Sequence, residues 1–557
     1  MNQTAYPWLA SYDQNVDWAM DLAVRPVYEM LDNTVARYGD RPAFDFLGKK
    51  YKWAQIGNLV DRFAAGLQSM GIGKGTHVGL FLPNCPYFLI AYYGVLKTGA
   101  TVVNFNPLYA ERELTHQITD SETDYMVTAD LSLLYGKAQK MLESTRLKKL
   151  IMCRFAGALP FPQNIFFPIF KRADQAKVQY SDRIVAFDAL IDNTGQMKPV
   201  SIDSVNDIAL LQYTGGTTGV PKGAMLTHGN IWANTHQAVA WFAGVPSGER
   251  KMLGVLPFFH VFAMTAVLNF SVLKALEIIA LPRFDLKQTL KVIHQKRPHF
   301  FPAVPAIFNA INHEQTLKSY DLSSLQFCIS GGAPLPTEVK KNFETNTGCL
   351  VVEGYGLTES SPVACINPVT GENKPGSIGL PLPGTIVEII DPTDKKTLMP
   401  AGERGELTIR GPQVMKGYWK KPAETAEVIR DGRLYTGDIA IMDKGGYFFI
   451  VDRIKDMIIT NGYNVYPRNV EEAIYQHPAV EECIVAGLPD EQRGEIVKAW
   501  IKLKPGQSLT EAVLIQFLSD KISKMEIPKR VEFRDKPLPK TMIGKLSRKD
   551  VVAEEKA

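Results

Sequence analysis

"WAQIGNLVDRFAAGLQSMGI" (Trp53–Ile72), "HVGLFLPN" (His77–Asn84), "PYFLIAYYGVLKTGA" (Pro86–Ala100) and "TVVNFNP" (Thr101–Pro107) follow one another with almost no connecting chain. The first and third carry apolar residues at helical spacing. The second and fourth are short apolar runs ended by turn residues, as buried strands are. Helix, strand, helix, strand predicts a parallel sheet covered by helices. The same rhythm returns from Leu253 to Leu281 and from Phe300 to Val352, with no repeat of fixed period.

From Gly379 to Val451 the texture changes to short β-type runs such as "GELTIRG" and "GYFFIVD", separated by hairpin signals such as "DKGG". Beyond "VDRIKD" the order helix, strand, strand can form a small α+β unit alone. The expected organisation is therefore an α/β protein in two domains, 1–452 and 453–557. The larger one combines parallel αβ-layered subdomains with a β-rich subdomain. A chain of 557 residues is too long for one hydrophobic core, which agrees.

Composition narrows the function classes. The 62 Lys plus Arg against 58 Asp plus Glu leave a formal charge of +4, too little for a general polyanion surface, so nucleic acid is not an expected partner. The six cysteines form no C-x-x-C pair, which argues against a zinc ribbon or disulfide framework and for reduced thiols in a cytoplasmic setting. The start, "MNQTAYPWLASYDQNVDWAM", has neither a basic region nor a continuous apolar one, so no secretory signal is expected. The most apolar later run, "VLNFSVLKALEIIALP", contains Lys274 and Glu277 and falls short of a spanning helix. The segment "FAGALPFPQNIFFPIFKR" crowds aromatics and prolines before Lys171 and Arg172. Its prolines argue against a regular helix. It suits either a buried loop or contact with an anionic membrane surface, the inner face of the cytoplasmic membrane being the expected place.

The chemistry concentrates in "YTGGTTGVPKGAMLTHGN" (Tyr213–Asn230), with five glycines and four threonines around Lys222. Glycines let backbone N–H groups turn to an anion, threonines add donors, and the lysine supplies charge. Pro221 and Gly223 flank Lys222, so this is not a Walker A loop. "LQFCISGGAPLP" places Gly331 and Gly332 after a strand pattern, where ligands often sit, although a Gly-Gly turn alone needs no ligand. In "VVEGYGLTES", Tyr355 could stack on a purine, Thr358 could bond phosphate and Glu359 could hold Mg²⁺, or Thr358 and Glu359 could simply cap a helix. Asp438 in "LYTGDIA" is a candidate acceptor for a ribose diol or a plain hairpin aspartate. Lys545, near the end of the chain, is by itself an ordinary solvated lysine.

Together, "YTGGTTGVPKG", "SGGAPLP", "YGLTES", "LYTGDIA", "VDRIKDMIITNGYNVYP" and "KTMIGK" occur in the order found in the acyl-adenylate-forming (ANL) superfamily of acyl-CoA synthetases, luciferases and peptide-synthetase adenylation domains. The chain resembles that superfamily from about Lys52 to Lys549, and within it the bacterial long-chain fatty-acid:CoA ligases.

The resemblance implies a reaction in two halves, with ATP and CoA as co-substrates and Mg²⁺ as cofactor: a carboxylate attacks the α-phosphorus of ATP, then the CoA thiol attacks the acyl-adenylate. By motif position it implies ATP or AMP contacts from Tyr213, Thr214, Gly215, Gly216, Thr217, Thr218, Gly219, Lys222, Gly331, Gly332, Ala333, Tyr355, Gly356, Thr358, Asp438 and Arg453. Thr214 and Glu359 would contact the metal. As catalytic residues, Lys545 would bridge the carboxylate and α-phosphate, while His260 in "LPFFHVFAMT" would border the acyl site and orient the carboxylate or gate the pocket, a lone His in an apolar stretch being otherwise structural. Lys455 matches the hinge of a mobile C-terminal domain, and Gly462 would let the pantetheine arm of CoA pass. Ile459 stands where some long-chain relatives carry a second lysine. The runs "FFHVFAMTAVLNF" and "FFPAVPAIFNAI" are candidate walls of an acyl tunnel, and are equally expected in an ordinary core. A homodimer is compatible with this reading. Its rivals are a ligase for aromatic or medium-chain acids, and a non-catalytic membrane-surface protein on a degenerate nucleotide fold. The latter sits poorly with the presence of Lys545, Glu359 and Asp438.

Overall fold

The computed structural model describes residues 6–214, 221–461, 463–490, 492–541 and 544–555. Gly215, Gly216, Thr217, Thr218, Gly219 and Gly462 lie outside them. Among the described residues the strands form four sheets, of eight, nine, five and five strands, with helices packed between and around the first two. The fold is α/β, as the alternating pattern predicts.

The opening stretch sits in the first sheet. Trp53–Ser69 is a helix whose Trp53, Ile56, Val60, Phe63 and Leu67 are buried, at spacings of three and four residues. Gln55 accepts the Lys52 N–H at 2.8 Å to close its first turn. Pro86–Lys97 begins with proline, where the missing amide costs nothing, and is apolar all round because it is buried on every side. Between them His77–Phe81 pairs in parallel with Thr101–Asn104 and with Tyr125–Ala129. Truncating Phe63, fully buried in this packing, is expected to cost about 3–5 kcal/mol.

In the second sheet Lys251–Gly254, Glu277–Ala280, Phe300–Ala303, Phe327–Ser330 and Leu350–Gly356 run parallel. Their carboxyl ends open toward a common cleft. The helix His228–Trp241 runs through the interior with its polar side chains used as struts: Asn230 donates to Pro412 O and Val414 O, and Asn234 to Val363 O. The third sheet is antiparallel and includes Gly405–Arg410, Arg433–Met442 and Phe448–Arg453. The "DKGG" turn closes its hairpin with Gly446 at φ 79°, where a Cβ would lie 2.3 Å from the backbone of Trp8. Only glycine fits that approach.

From Ile458 onward the chain has a separate core of Val465, Val470, Ile474, Val485, Val497 and Leu514, built on the antiparallel pair Val480–Asp490 and Gly494–Leu503. The aromatic segment departs from expectation, because Gln163–Phe170 is a helix, with Pro168 inside it, and none of its residues is buried. A short exposed helix tolerates one missing backbone donor, since water can satisfy the freed carbonyl. No helix among the described residues is long and apolar enough to cross a membrane.

Candidate active site

One cleft of ≈ 1580 Å³ lies where the second sheet, the third sheet and the C-terminal unit meet. It is lined by every candidate residue among those described: Tyr213, Thr214, Lys222, His260, Gly331, Gly332, Ala333, Tyr355, Gly356, Thr358, Glu359, Asp438, Arg453, Lys455 and Lys545. Residues more than 300 positions apart in sequence thus converge on one space.

Asp438 is the best-defined anchor. Its strand pairs with Phe448–Arg453 so that Asp438 opposes Arg453, whose Nε lies 3.2 Å from Oδ1. Tyr355 donates its hydroxyl to Oδ2 at 2.6 Å. Burial, and then the Asp438 carboxylate, push the Tyr355 phenol well above its ordinary range, so it remains a donor. A carboxylate held from two sides cannot swing, which is what orienting a diol requires.

Thr214 and Lys222 face each other across an antiparallel pair, and both line the cleft. Lys222 Nζ lies 5.0 Å from the centroid of the Tyr418 ring, and Tyr418 donates its hydroxyl to Glu359 Oε1 at 2.6 Å. The sequence reading did not include Tyr418. It arrives because Gly417–Tyr418 pairs with Ala224 and Met225, a contact no local pattern announces. Burial and the Glu359 charge raise the Tyr418 phenol, so it too remains a donor. Among the described residues no group of three or more His, Cys, Asp or Glu could hold a metal. The donors present, one carboxylate and one threonine hydroxyl, fit an Mg²⁺ that arrives with nucleotide phosphates and keeps its waters, rather than a resident protein-caged ion.

Tyr213 lines the cleft, but its hydroxyl donates to Asp120, which makes that group a strut. Gly331 packs under the ring of Phe262, where a Cβ would lie at 3.1 Å, and Gly332 takes φ 79°. Gly356 has its own structural need for glycine, since a Cβ would lie 1.8 Å from Pro362 O. Ser360, rather than Thr358 or Glu359, closes the short turn by accepting the Leu357 N–H at 3.1 Å. Thr358 and Glu359 are thereby left for the cleft.

Lys545 enters from the C-terminal unit next to Gly544, which has φ 82° and whose N donates to Thr541 O at 2.8 Å. Burial, then the Arg453 guanidinium, lower its ammonium to about 8, against a smaller opposing pull from Asp438. His260 is lowered to about 4 by burial, then by the nearby Lys545 cation. It is therefore neutral at physiological pH, with Nδ1 accepting the Phe262 N–H at 3.3 Å. Lys455 sits in the single turn Ile454–Asp456 that joins the third sheet to the C-terminal unit.

Arg548 is a second residue absent from the sequence reading. It donates to Glu471 Oε2 at 2.6 Å, Asp456 Oδ2 at 3.2 Å and Val485 O at 3.0 Å. Such partners are assembled only by the fold.

The cleft continues into an apolar arm lined by Ala238, Phe242, Phe262, Ala266, Phe270 and Ile366. It follows a widened, π-helical turn over Met264–Asn269, a departure from α geometry common at functional sites. Of the two candidate tunnel runs, the first contributes Phe262, Ala266 and Phe270 to this arm, while its Phe258, Met264, Val267 and Leu268 belong to the core. The second contributes Pro305, Ala306 and Asn309 to the cleft, while its Phe301, Phe308 and Ile311 belong to the core.

A cleft that brings the Asp438, Arg453 and Tyr355 cluster together with a lysine from the C-terminal unit and a set of apolar side chains suits an adenylate-forming enzyme, and the chain belongs to the AMP-binding enzyme family. The family model matches residues 31–419, and that of the AMP-binding enzyme C-terminal domain matches 469–545. A long-chain-fatty-acid–CoA ligase of Bacillus subtilis is 45% identical over 556 residues, covering 99% of both chains. ATP-bound MatB from Rhodopseudomonas palustris superposes with a TM-score of 0.83 at 27% identity, over 96% of this chain and 99% of that one. The apo form of the same protein, with the same coverage, gives 0.75.

Proposed function

We propose that this protein joins a long-chain fatty acid to coenzyme A at the expense of ATP, through an acyl-AMP intermediate. In the first half a fatty carboxylate attacks the α-phosphorus, the bond to the β-phosphate oxygen breaks, and pyrophosphate leaves. In the second the CoA thiol sulfur attacks the acyl carbonyl, AMP departs and the thiol proton is released.

The observation that carries this reading is the meeting of Lys545, Asp438, Arg453 and Tyr355 in one cleft that Phe242, Phe262 and Phe270 also line. Two anions must approach in the first half, and Lys545 supplies the charge that offsets their repulsion where they react. Asp438, braced by Tyr355 and Arg453, would take the ribose hydroxyls. Gly331 to Ala333 would offer flat backbone to adenine. Thr214 and Glu359 would hold Mg²⁺, which supplies charge neutralisation of the phosphates. Lys222 adds a cation on the same side. Neutral His260 borders the carboxylate as an orienting group rather than a proton donor.

The division at 452 and 453, with Lys455 as hinge, explains how one cleft serves both halves: rotation of the small unit withdraws Lys545 and admits the thiol arm past Gly462. The better superposition on ATP-bound than on apo MatB supports an arrangement poised for the first half. Every residue invoked comes from one chain, so the reading needs no second copy. A lipid substrate also gives a reason for membrane contact.

The test is ATP–pyrophosphate exchange with a series of fatty and aromatic acids, followed by addition of CoA. Exchange rising with chain length, and acyl-CoA formed once CoA is added, supports the proposal. A preference for aromatic or medium-chain acids, or no exchange with any acid, overturns it.

A further inference from the structure

Globular proteins rarely leave a continuous apolar face uncovered, and this one does so on a short helix. Phe161, Ile165, Phe166, Ile169 and Phe170 are all exposed within ten residues, Phe161 to 79% and Phe170 to 77%. The helix Gln163–Phe170 is nonetheless fixed to the body. Phe167 packs on Phe155, with ring centroids 5.4 Å apart, and Phe155 packs edge-on to buried Phe46 at 5.9 Å. Lys171 N donates to Phe167 O at 2.9 Å, and Ser132 Oγ donates to Ala173 O at 2.8 Å just beyond. One aromatic is thus spent on anchoring while the others are held outward.

The charge around this face is predominantly positive. From residue 154 to 174 the chain contains Arg154, Lys171 and Arg172 against the single acid Asp174. The β-hairpin residue Lys49, whose Nζ donates to Gly157 O, brings a further cation to the same region. A second copy docking face to face would oppose these cations, and water leaves the aromatics unsatisfied. An anionic lipid surface satisfies both features, since rings enter the acyl boundary and basic side chains stay at the headgroups.

We propose that the helix Gln163–Phe170, with Phe161 before it and Lys171 and Arg172 after it, docks the protein on an anionic membrane surface. A helix of this length spans about 12 Å and enters as a shallow wedge lying in the interface. Its use would be to hold the enzyme at the phase in which a long-chain acid resides. That purpose rests on the function proposed above, whereas the docking face does not.

The experiment is co-sedimentation of the full chain with vesicles of phosphatidylglycerol and phosphatidylcholine, or of phosphatidylcholine alone, for the unaltered protein, the pair Phe166→Ser and Phe170→Ser, and the pair Lys171→Glu and Arg172→Glu. The expected result is partition at least tenfold greater onto anionic vesicles, lost at least tenfold in each pair. ATP–pyrophosphate exchange with detergent-dispersed fatty acid should be unchanged in both. Phe170→Trp gives an independent reading without removing the apolar face: the emission it adds to that of the seven native tryptophans should be quenched by brominated lipid, and the unaltered protein supplies the background. Equal partition of all variants, no partition of the unaltered protein, or a lipid-free dimer dissolved by the serine pair would overturn the proposal. The exchange assay separates the two readings, because vesicle binding without exchange would leave the docking face standing and remove the ligase.

Discussion

Arg548 donates from Nη1 to Asp456 Oδ2 at 3.2 Å, tying the segment that carries Lys545 to the turn that joins the two units. The same guanidinium also holds Glu471, and burial would be costly for any of the three alone. These carboxylates raise the arginine above even its ordinary range, outweighing the opposing effect of burial. These contacts lead to the expectation that Arg548 positions Lys545. Replacing it by alanine is expected to destabilise the C-terminal unit by about 3 kcal/mol, the low end for a broken buried pair. Acyl-AMP formation should fall more than tenfold, with less effect on acyl transfer from supplied acyl-AMP to CoA. Equal loss in both halves would assign Arg548 a purely structural role. Arg548→Lys should recover part of the adenylation rate.

Asp438 has its own signature. Asp438→Ala removes the acceptor shared by Tyr355 and Arg453, leaving the arginine without its partner. The expected outcome is a KM for ATP raised at least tenfold. Tyr355→Phe removes one hydrogen bond to a carboxylate, worth about 1.5–3 kcal/mol at most, and should have a milder effect. Steady-state kinetics at varied ATP concentration checks the order.

The pH profile follows from Lys545. Its ammonium titrates near 8 because burial and Arg453 favour the neutral form. If the cation is what adenylation needs, kcat/KM for adenylation is intact below that value and falls as pH rises through it. Bound phosphates favour the cation, so the limb in kcat should lie higher. Lys545→Arg should abolish the limb whatever activity it retains. His260, lowered to about 4, should contribute no inflection between pH 6 and 7.

Glu359 and Tyr418 make a separable pair. Glu359→Gln should raise the Mg²⁺ concentration needed for half-maximal exchange severalfold. Tyr418→Phe, which only releases Oε1, should raise it less. Magnesium titrations of pyrophosphate exchange at fixed ATP distinguish the two effects.

How far the sequence foretells this picture depends on the range of the interactions. The helix at Trp53 and strand at His77 are legible because their periodicity is local. Asp438, Tyr355 and Lys545 are nominated by motif order, although their convergence in one cleft is a property of the fold. Tyr418 and Arg548 are illegible because their meaning lies in partners brought by a strand pairing and a packed helix. The aromatic segment misleads for another reason. Proline argues against helix in a buried setting, yet Gln163–Phe170 faces solvent, where the freed carbonyl loses little.

Adenylation depends above all on the Lys545 cation. In a correctly folded Lys545→Ala protein, single-turnover formation of acyl-AMP from ATP and a long-chain acid should drop by about 10²–10³, the scale at which one well-placed charge-stabilising group acts. Transfer of a supplied acyl-AMP to CoA should remain within severalfold of the unaltered enzyme. Undiminished acyl-AMP formation would contradict the claim that this cation brings the two anions together.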